Sequence, residues 1–403
     1  MTRIDKNCFA TLELELSWTS ARARHRERFL ARKVNIWRDF FPPGMEEALV
    51  GLGIGDEIRL DYAPGQGVPA RRDQEVRRLD RHRFKPPRTG QPVSGPSFGR
   101  FYPKGFLSDL VGIYAQNMYP FRVIDLDDRE FTADLNHPLA AYPLSVGAYV
   151  HNAAVKDGDV GGRCSVWMEE VADNGPGMQV RWKDQPTDFE MQEPLVREDE
   201  QADSGFYLRP RMVAHVDAQA SRHLQEEYSR FLQPGMQVLD LMSSLYSHLP
   251  PNMDLEVTGL GMNIEELEAN PALDRHVIHD LNAQPELPFA DAAFDLVVCS
   301  LSIEYVTRPQ ALTAQMRRVL RPGGRVLIGF SNRWFPPKVT RLWTALHEFE
   351  RLGLVLELLL RDQGFSDLQT GTVRNWWRPV DDKYSGQLWS SDPVYVVSGA
   401  VQG

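Results

Sequence analysis

Thr11-Leu12-Glu13-Leu14-Glu15-Leu16 alternates apolar and charged residues with period two, which predicts a strand with one buried face. The charged stretch that follows predicts a helix, closed by the turn Phe41-Pro42-Pro43-Gly44. Met45–Leu49 predicts a short helix stopped by Gly51 and Gly53, and Glu57–Tyr62 a second alternating strand broken by Pro64-Gly65. Residues 64–100, rich in Pro, Gly and Arg, read as loop or a small insert. Phe121–Leu126 and Glu130–Leu135 read as a hairpin turning at Asp127-Asp128. Residues 156–205, with Gly161, Gly162 and Asn174-Gly175-Pro176-Gly177, read as a loop layer and a linker.

From Met212 the period changes. Met212, Val216, Ala220, Leu224, Tyr228 and Leu232 recur every four residues, a helical stripe ended by Gln233-Pro234-Gly235. A series of strand-like runs follows, beginning at Val238, Val257, Val277, Phe294 and Arg325, with helical patterns between several of them. Strands alternating with helices predict a parallel, doubly wound sheet. The expected division is therefore 1–155, a β-rich domain with a few helices; 156–205, loop and linker; and 206–403, an α/β domain.

Composition narrows the class. The chain has 403 residues, 42% hydrophobic and 25% charged, as in ordinary globular proteins. A net charge of −10 argues against nucleic acid as a main partner, although basic residues collect around Arg22–Arg28 and Arg71–Arg88. No apolar run reaches the roughly 20 residues that span a bilayer, so no membrane partner is expected. Cys8, Cys164 and Cys299 offer neither a disulfide framework nor a CxxC pair, and a cytoplasmic setting is the expectation. No His/Cys cluster has metal-ligand spacing.

The candidate chemistry lies where the strands end. Val238-Leu239-Asp240-Leu241, Val257-Thr258-Gly259-Leu260-Gly261-Met262-Asn263, His279-Asp280-Leu281-Asn282, Phe294–Ser300 and Leu320-Arg321-Pro322-Gly323-Gly324 form an ordered set. Together they resemble the core of class I S-adenosylmethionine-dependent methyltransferases. The resemblance implies a Rossmann-like, seven-stranded, mostly parallel sheet, closed by an antiparallel pair at Asp367–Arg374 and Pro393–Val401. It implies S-adenosylmethionine as cofactor, held by Asp240, Ser243, Ser244, Gly259, Met262, Asn263, Asp280, Leu281, Asn282 and Ser300. Met242, Ser244 and Tyr246 stand where the family has glycine, and Gly261 where it has an acid binding ribose hydroxyls. Tyr246 is expected to turn away from the pocket. Asn263 and Glu266 also read as a helix-capping box. His248, His279, Glu304 and Trp334 are candidates facing the cleft, each with a structural role as the alternative.

In the first half, Asp134-Leu135-Asn136-His137-Pro138-Leu139-Ala140, with Pro43-Gly44-Met45-Glu46-Glu47-Ala48-Leu49 upstream, resembles SlyD-type FKBP prolyl isomerases. That resemblance implies an FKBP-like fold and an apolar pocket at Trp18, Phe41 and Met45 that would favour the twisted X-Pro amide. It also implies a polypeptide partner, bound through residues 70–120 with Phe98, Phe101, Tyr102, Phe106 and Tyr114, and a structural His137. Three readings follow: a methyltransferase fused to an FKBP-like domain; a chaperone-type protein whose methyltransferase fold is not catalytic; and a sheet holding another nucleotide or metabolite. No motif names the methyl acceptor or an oligomeric state.

Overall fold

In a computed structural model, which describes residues 2–86, 95–158, 163–172 and 180–402, the chain divides into two compact units, Met1–Phe189 and Glu190–Gly403. Of the described residues, those between 156 and 189 thus belong to the first unit and 190–205 to the second. Gly161, Gly162, Asn174–Gly177 and Arg88 lie outside the described residues.

The first unit is β-rich. Its strands are β1 (Cys8–Thr19), β2 (Ala23–Val34), β3 (Glu57–Tyr62), β4 (Val76–Asp80), β5 (Phe101–Pro103), β6 (Pro120–Leu126), β7 (Glu130–Asp134) and β8 (Leu144–Val155). Short helices α1 (Met45–Leu49) and α2 (Trp167–Ala172) accompany them. β2, β1, β8 and β3 lie side by side, antiparallel throughout. Leu12, Leu14, Leu16 and Trp18 of β1 enter the core, as the alternation requires.

The charged stretch after β1 is strand β2, not a helix. Ala23, His25, Glu27 and Phe29 turn inward, while Arg26 and Arg28 pair across the ladder. Arg28 bonds Glu13 and Arg26 reaches Glu15 at 3.4 Å. Arg59 of β3 also reaches Glu15, at 2.8 Å, passing over Gly147 of β8, which has no side chain to block it. Such cross-strand pairs contribute about 0.2–1 kcal/mol each. The inward polar residues hid the period-two pattern.

β4, β7, β6 and β5 form a smaller antiparallel sheet, so the region expected to be loop or insert supplies a strand. The hairpin turn stands as expected: Asp127 Oδ1 accepts the backbone N–H of Arg129 and Glu130. Phe84, Tyr102, Phe121 and Phe131 pack as an aromatic core beneath this sheet.

The second unit contains β9 (Met236–Leu241), β10 (Leu255–Gly261), β11 (Arg275–Ile278), β12 (Phe294–Ser300), β13 (Leu320–Phe330), β14 (Phe365–Arg374) and β15 (Val394–Val401). Its helices are α3 (Asp203–Phe206), α4 (Ala218–Ser229), α5 (Ile264–Glu268), α6 (Pro309–Val319), α7 (Arg341–Ala345) and α8 (Glu348–Asp362). The strands run in the order β11-β10-β9-β12-β13-β15-β14. The first five are parallel, and β15 runs antiparallel to β13 and β14. This is the seven-stranded, mostly parallel sheet expected.

The helix before β9 is shorter than its stripe. Asp217 caps it, accepting from the N–H groups of Gln219 and Ala220, so Val216 only borders it and Met212 lies outside, half exposed. Ala220, Leu224 and Tyr228 bury against the sheet. α6 ends at Val319, and Arg321–Gly324 form a bulge within β13, where the register jumps between Phe294/Leu320 and Leu296/Arg325. Gly323 takes φ 79° there, a conformation glycine adopts at little cost.

Candidate functional site

Strand order reverses between β9 and β12, whose neighbouring chains leave the sheet in opposite directions. In such sheets a crevice opens at the carboxyl ends of the strands. A cavity of about 340 Å3 lies there, within the usual range for small-molecule sites. Segments following β9, β10, β11, β12 and β13 all line it.

Asp240, Ser243, Ser244, Met262, Asn263, Asp280, Leu281, Asn282 and Ser300 are brought together on this cavity. Gly259 is not: it sits within β10, where a Cβ would strike Leu273. Asp240 is fully buried, and Ser243 Oγ donates to its Oδ2 at 2.6 Å. Burial pushes its carboxyl up to about 7, against the hydroxyls of Ser243 and Ser247.

Met242 stands at φ 56°, so the missing glycine leaves its backbone conformation behind in a residue that adopts it only at a cost. Gly261 explains the missing acid. A Cβ there would overlap the carbonyl oxygen of Ser243, so the loop after β9 lies against bare backbone. Tyr246 does not turn away; half exposed, it lines the cavity.

Several polar groups serve the walls. Asn263 caps α5, accepting from the N–H groups of Glu265 and Glu266, and its Nδ2 donates to the carbonyls of Tyr207 and Leu208. The full capping box is absent, because Glu266 instead accepts from the Arg211 N–H and the Ser244 hydroxyl, each at 2.6 Å. Asp280 holds its own turn through the N–H groups of Asn282 and Ala283. Asn282 ties Asp203 to the Tyr305 carbonyl and accepts from Thr307. Ser300 shares a 2.9 Å hydrogen bond with Tyr228.

Of the candidates facing the cleft, His248, His279 and Trp334 line the cavity; Glu304 does not. His248 shares a 2.9 Å bond with Ser221, and burial, with His215 nearby, pulls its ring down to about 4. It is therefore neutral at pH 7 and a weak proton acceptor. Glu304 is buried with neither carboxyl oxygen meeting a hydrogen-bond partner, and burial raises it to about 8, opposed by the nearness of its own backbone N–H and by the charge of Arg351. Among the described residues no group of His, Cys, Asp and Glu is placed to hold a metal ion.

The strap before α4 and the loops after β13 and β14 add Tyr207, Arg211, His215, Arg333, Lys383 and Tyr384, which the sequence reading did not name. They belong to no strand-end motif. The stacking of Arg211 on Phe206 and Phe335 arises only on folding.

Trp18, Phe41 and Met45 share one core in the first unit. Trp18 is shut in, stacked on His25 at 4.3 Å and against Tyr142, and Met45 is likewise buried. None of the three lines the roughly 240 Å3 cavity of that unit, which borders on His137, Lys104 and Glu169. His137 has the structural role expected, accepting the Leu139 N–H at 3.1 Å.

Residues 244–328 match the family model described as a methyltransferase domain. The chain is 31% identical over 107 residues to the demethylmenaquinone methyltransferase of Renibacterium salmoninarum, covering 26% of this chain and 45% of that protein. It is 31% identical over 117 residues to the ubiquinone/menaquinone biosynthesis C-methyltransferase UbiE of Burkholderia orbicola, covering 27% and 48%. The chain thus spans about half the length of these relatives. Among solved structures, Haemonchus contortus phosphoethanolamine N-methyltransferase 2 with S-adenosyl-L-methionine aligns at TM-score 0.33 and 13% identity, over 45% of this chain and 52% of that one. A SAM-dependent methyltransferase from Aquifex aeolicus aligns at TM-score 0.31 and 14% identity, over 46% and 93%. The match at residues 244–328, which runs from the loop after β9 into β13, places a region similar to a methyltransferase domain in the second unit.

Proposed function

We propose that the second unit transfers a methyl group from S-adenosylmethionine to a small acceptor within the strand-end cavity. The observation that carries this reading is the contact between Gly261 and the Ser243 carbonyl. It presses the loop after β9 against the end of β10 and leaves a cofactor-sized cavity over Asp240, Met262 and Asp280. Ser243, Ser244, Met262, Asn263, Asp280 and Leu281 would hold the cofactor. When bound, its sulfonium supplies an activated methyl group with a neutral thioether as leaving group.

The chain's own contribution is then mainly positioning. Holding the acceptor atom in line, about 3–3.5 Å from the methyl carbon, supplies much of the rate without a strong base. The cavity matches that demand, since His248 is a weak proton acceptor and Glu304 does not line it. Isothermal titration of the full chain with S-adenosylmethionine and S-adenosylhomocysteine tests the reading. One-site, micromolar binding supports it; a folded protein that binds neither rejects it and favours a non-catalytic fold.

For the first unit we propose polypeptide binding rather than isomerisation. Val111, Tyr114, Met118 and Tyr119 lie exposed on one segment, whereas Trp18 and Met45, two of the three pocket positions, are buried. Suppression of aggregation of an unfolded client, without acceleration of X-Pro isomerisation, is the expected result. Rate enhancement in a proline-limited refolding assay would reverse this assignment.

A further inference from the structure

The connection between β9 and β10, Met242–Asp254, contains no helix. In a doubly wound sheet, a helix after the first strand offers free N–H groups and the positive end of its dipole to an anion beside the cofactor loop. Here that connection supplies no helix N-terminus to the loop.

Arg211 stands beside it instead. Its guanidinium lies 4.3 Å from the Phe206 ring, 5.1 Å from Phe335 and 5.4 Å from Tyr207, and lines the cavity. Nη2 donates to the Phe206 carbonyl at 3.1 Å. Nη1 is removed from solvent and bonds to nothing, and among the described residues no carboxylate forms an ion pair with this guanidinium. A buried N–H left unmade on a charged group is costly, which favours a ligand that completes it.

The carboxylates of the cavity are otherwise engaged. Glu266 accepts from the Arg211 backbone and Ser244; Asp203 is held by Arg197 at 2.8 Å and Lys338 at 3.1 Å; Asp240 accepts from Ser243. Position selects among incoming anions. Glu266 fixes the Arg211 backbone, and Asn263 fixes Tyr207 and Leu208, so the strap is tied to the end of β10 next to the Ser243-Ser244 loop. Arg333 and Lys383 come instead from the segments after β13 and β14.

We propose that Arg211 anchors the methionyl carboxylate of S-adenosylmethionine, replacing the helix N-terminus that the β9–β10 connection lacks. The inference rests on the cofactor reading above. Seated against the Phe206, Tyr207 and Phe335 rings, the guanidinium leaves Nη1 without a protein partner, and a carboxylate entering the cavity is the ligand group whose geometry matches that fork once it turns toward the cavity.

Isothermal titration of wild type, Arg211→Ala and Arg211→Lys with S-adenosylmethionine and with decarboxylated S-adenosylmethionine tests it. Wild type is expected to prefer the carboxylate-bearing ligand by about 10- to 100-fold, the span of one charge-assisted hydrogen-bond pair. Arg211→Ala should bring S-adenosylmethionine down to the affinity of the decarboxylated ligand while leaving the latter within about twofold, which also shows that the variant is folded. Arg211→Lys should recover part of the loss. Equal weakening of both ligands, or no change in either, overturns the proposal, the second outcome leaving the guanidinium to an anionic acceptor. Wild type that binds neither ligand rejects the cofactor reading itself, and the anchor with it.

Discussion

Glu304 and Asp240 are buried carboxyls of the second unit whose protons burial holds, and both make its stability depend on pH. Glu304 has an ordinary value of 4.5 and is raised to about 8 in the fold. Below 4.5 it is protonated folded or unfolded and costs nothing. Between 4.5 and about 8 the unfolded chain releases the proton that the fold retains, so stability falls as pH rises, by on the order of a few kcal/mol in full. Glu304→Gln should therefore leave the melting temperature unchanged near pH 4.5 and raise it most at pH 8. A gain that is the same at both values would show that packing, not ionisation, is responsible. Asp240 adds a similar slope between 3.8 and about 7. Asp240→Ala with Asp280→Ala should abolish cofactor binding without unfolding the protein; unchanged affinity by calorimetry would remove both from the site. Asp240 was legible because it ends an apolar strand. Glu304 was legible as a strand-end acid, but its burial depends on α7 and α8, far along the chain.

At the scale of elements, the close approach of β10 to the loop after β9 is the most sensitive contact. Gly261→Ala places a methyl group on the Ser243 carbonyl, which backbone cannot yield cheaply. A loss of at least tenfold in S-adenosylhomocysteine affinity is expected, and wild-type affinity would show that the loop moves freely. Asn263→Ala removes the cap of α5 and two bonds to the strap, and should cost about 1–2 kcal/mol in denaturant unfolding. Elements whose period matched their burial, β1, β3 and β7, were readable from alternation, β6 as the partner of β7 in a hairpin, β9 to β13 as strand-like runs, and β14 and β15 through the family resemblance. β2 was not, because arginines on its outer face and His25 and Glu27 on its inner face erased the apolar alternation. Met212 kept the helical period but lies beyond the Asp217 cap, which sets where α4 begins.

For the whole molecule, a ligand that binds only the folded state stabilises it by mass action. At about 100 times its dissociation constant, S-adenosylhomocysteine should contribute about 2.7 kcal/mol, a rise of roughly 5–10 °C in the transition of a domain of about 200 residues. No shift at saturating ligand would contradict binding to the native state. The seven-stranded order follows from connection rules: right-handed crossovers place β10 and β11 on one side of β9 and β12 and β13 on the other, which opens the cavity at the reversal.

The sequence by itself determined the α/β class of the second unit, most of its strands, and the residues at their carboxyl ends. These are local consequences of apolar runs and of the acids, serines and glycines that stop them. Tertiary structure alone decided how those ends are used. It set Gly261 against Ser243, committed Asn282 and Glu266 to neighbouring walls, buried Trp18 on His25, and brought Arg211 from outside the sheet to the cavity. A strand-end motif is written in consecutive residues, whereas burial, pairing and an unsatisfied N–H depend on segments that meet only when the chain has folded.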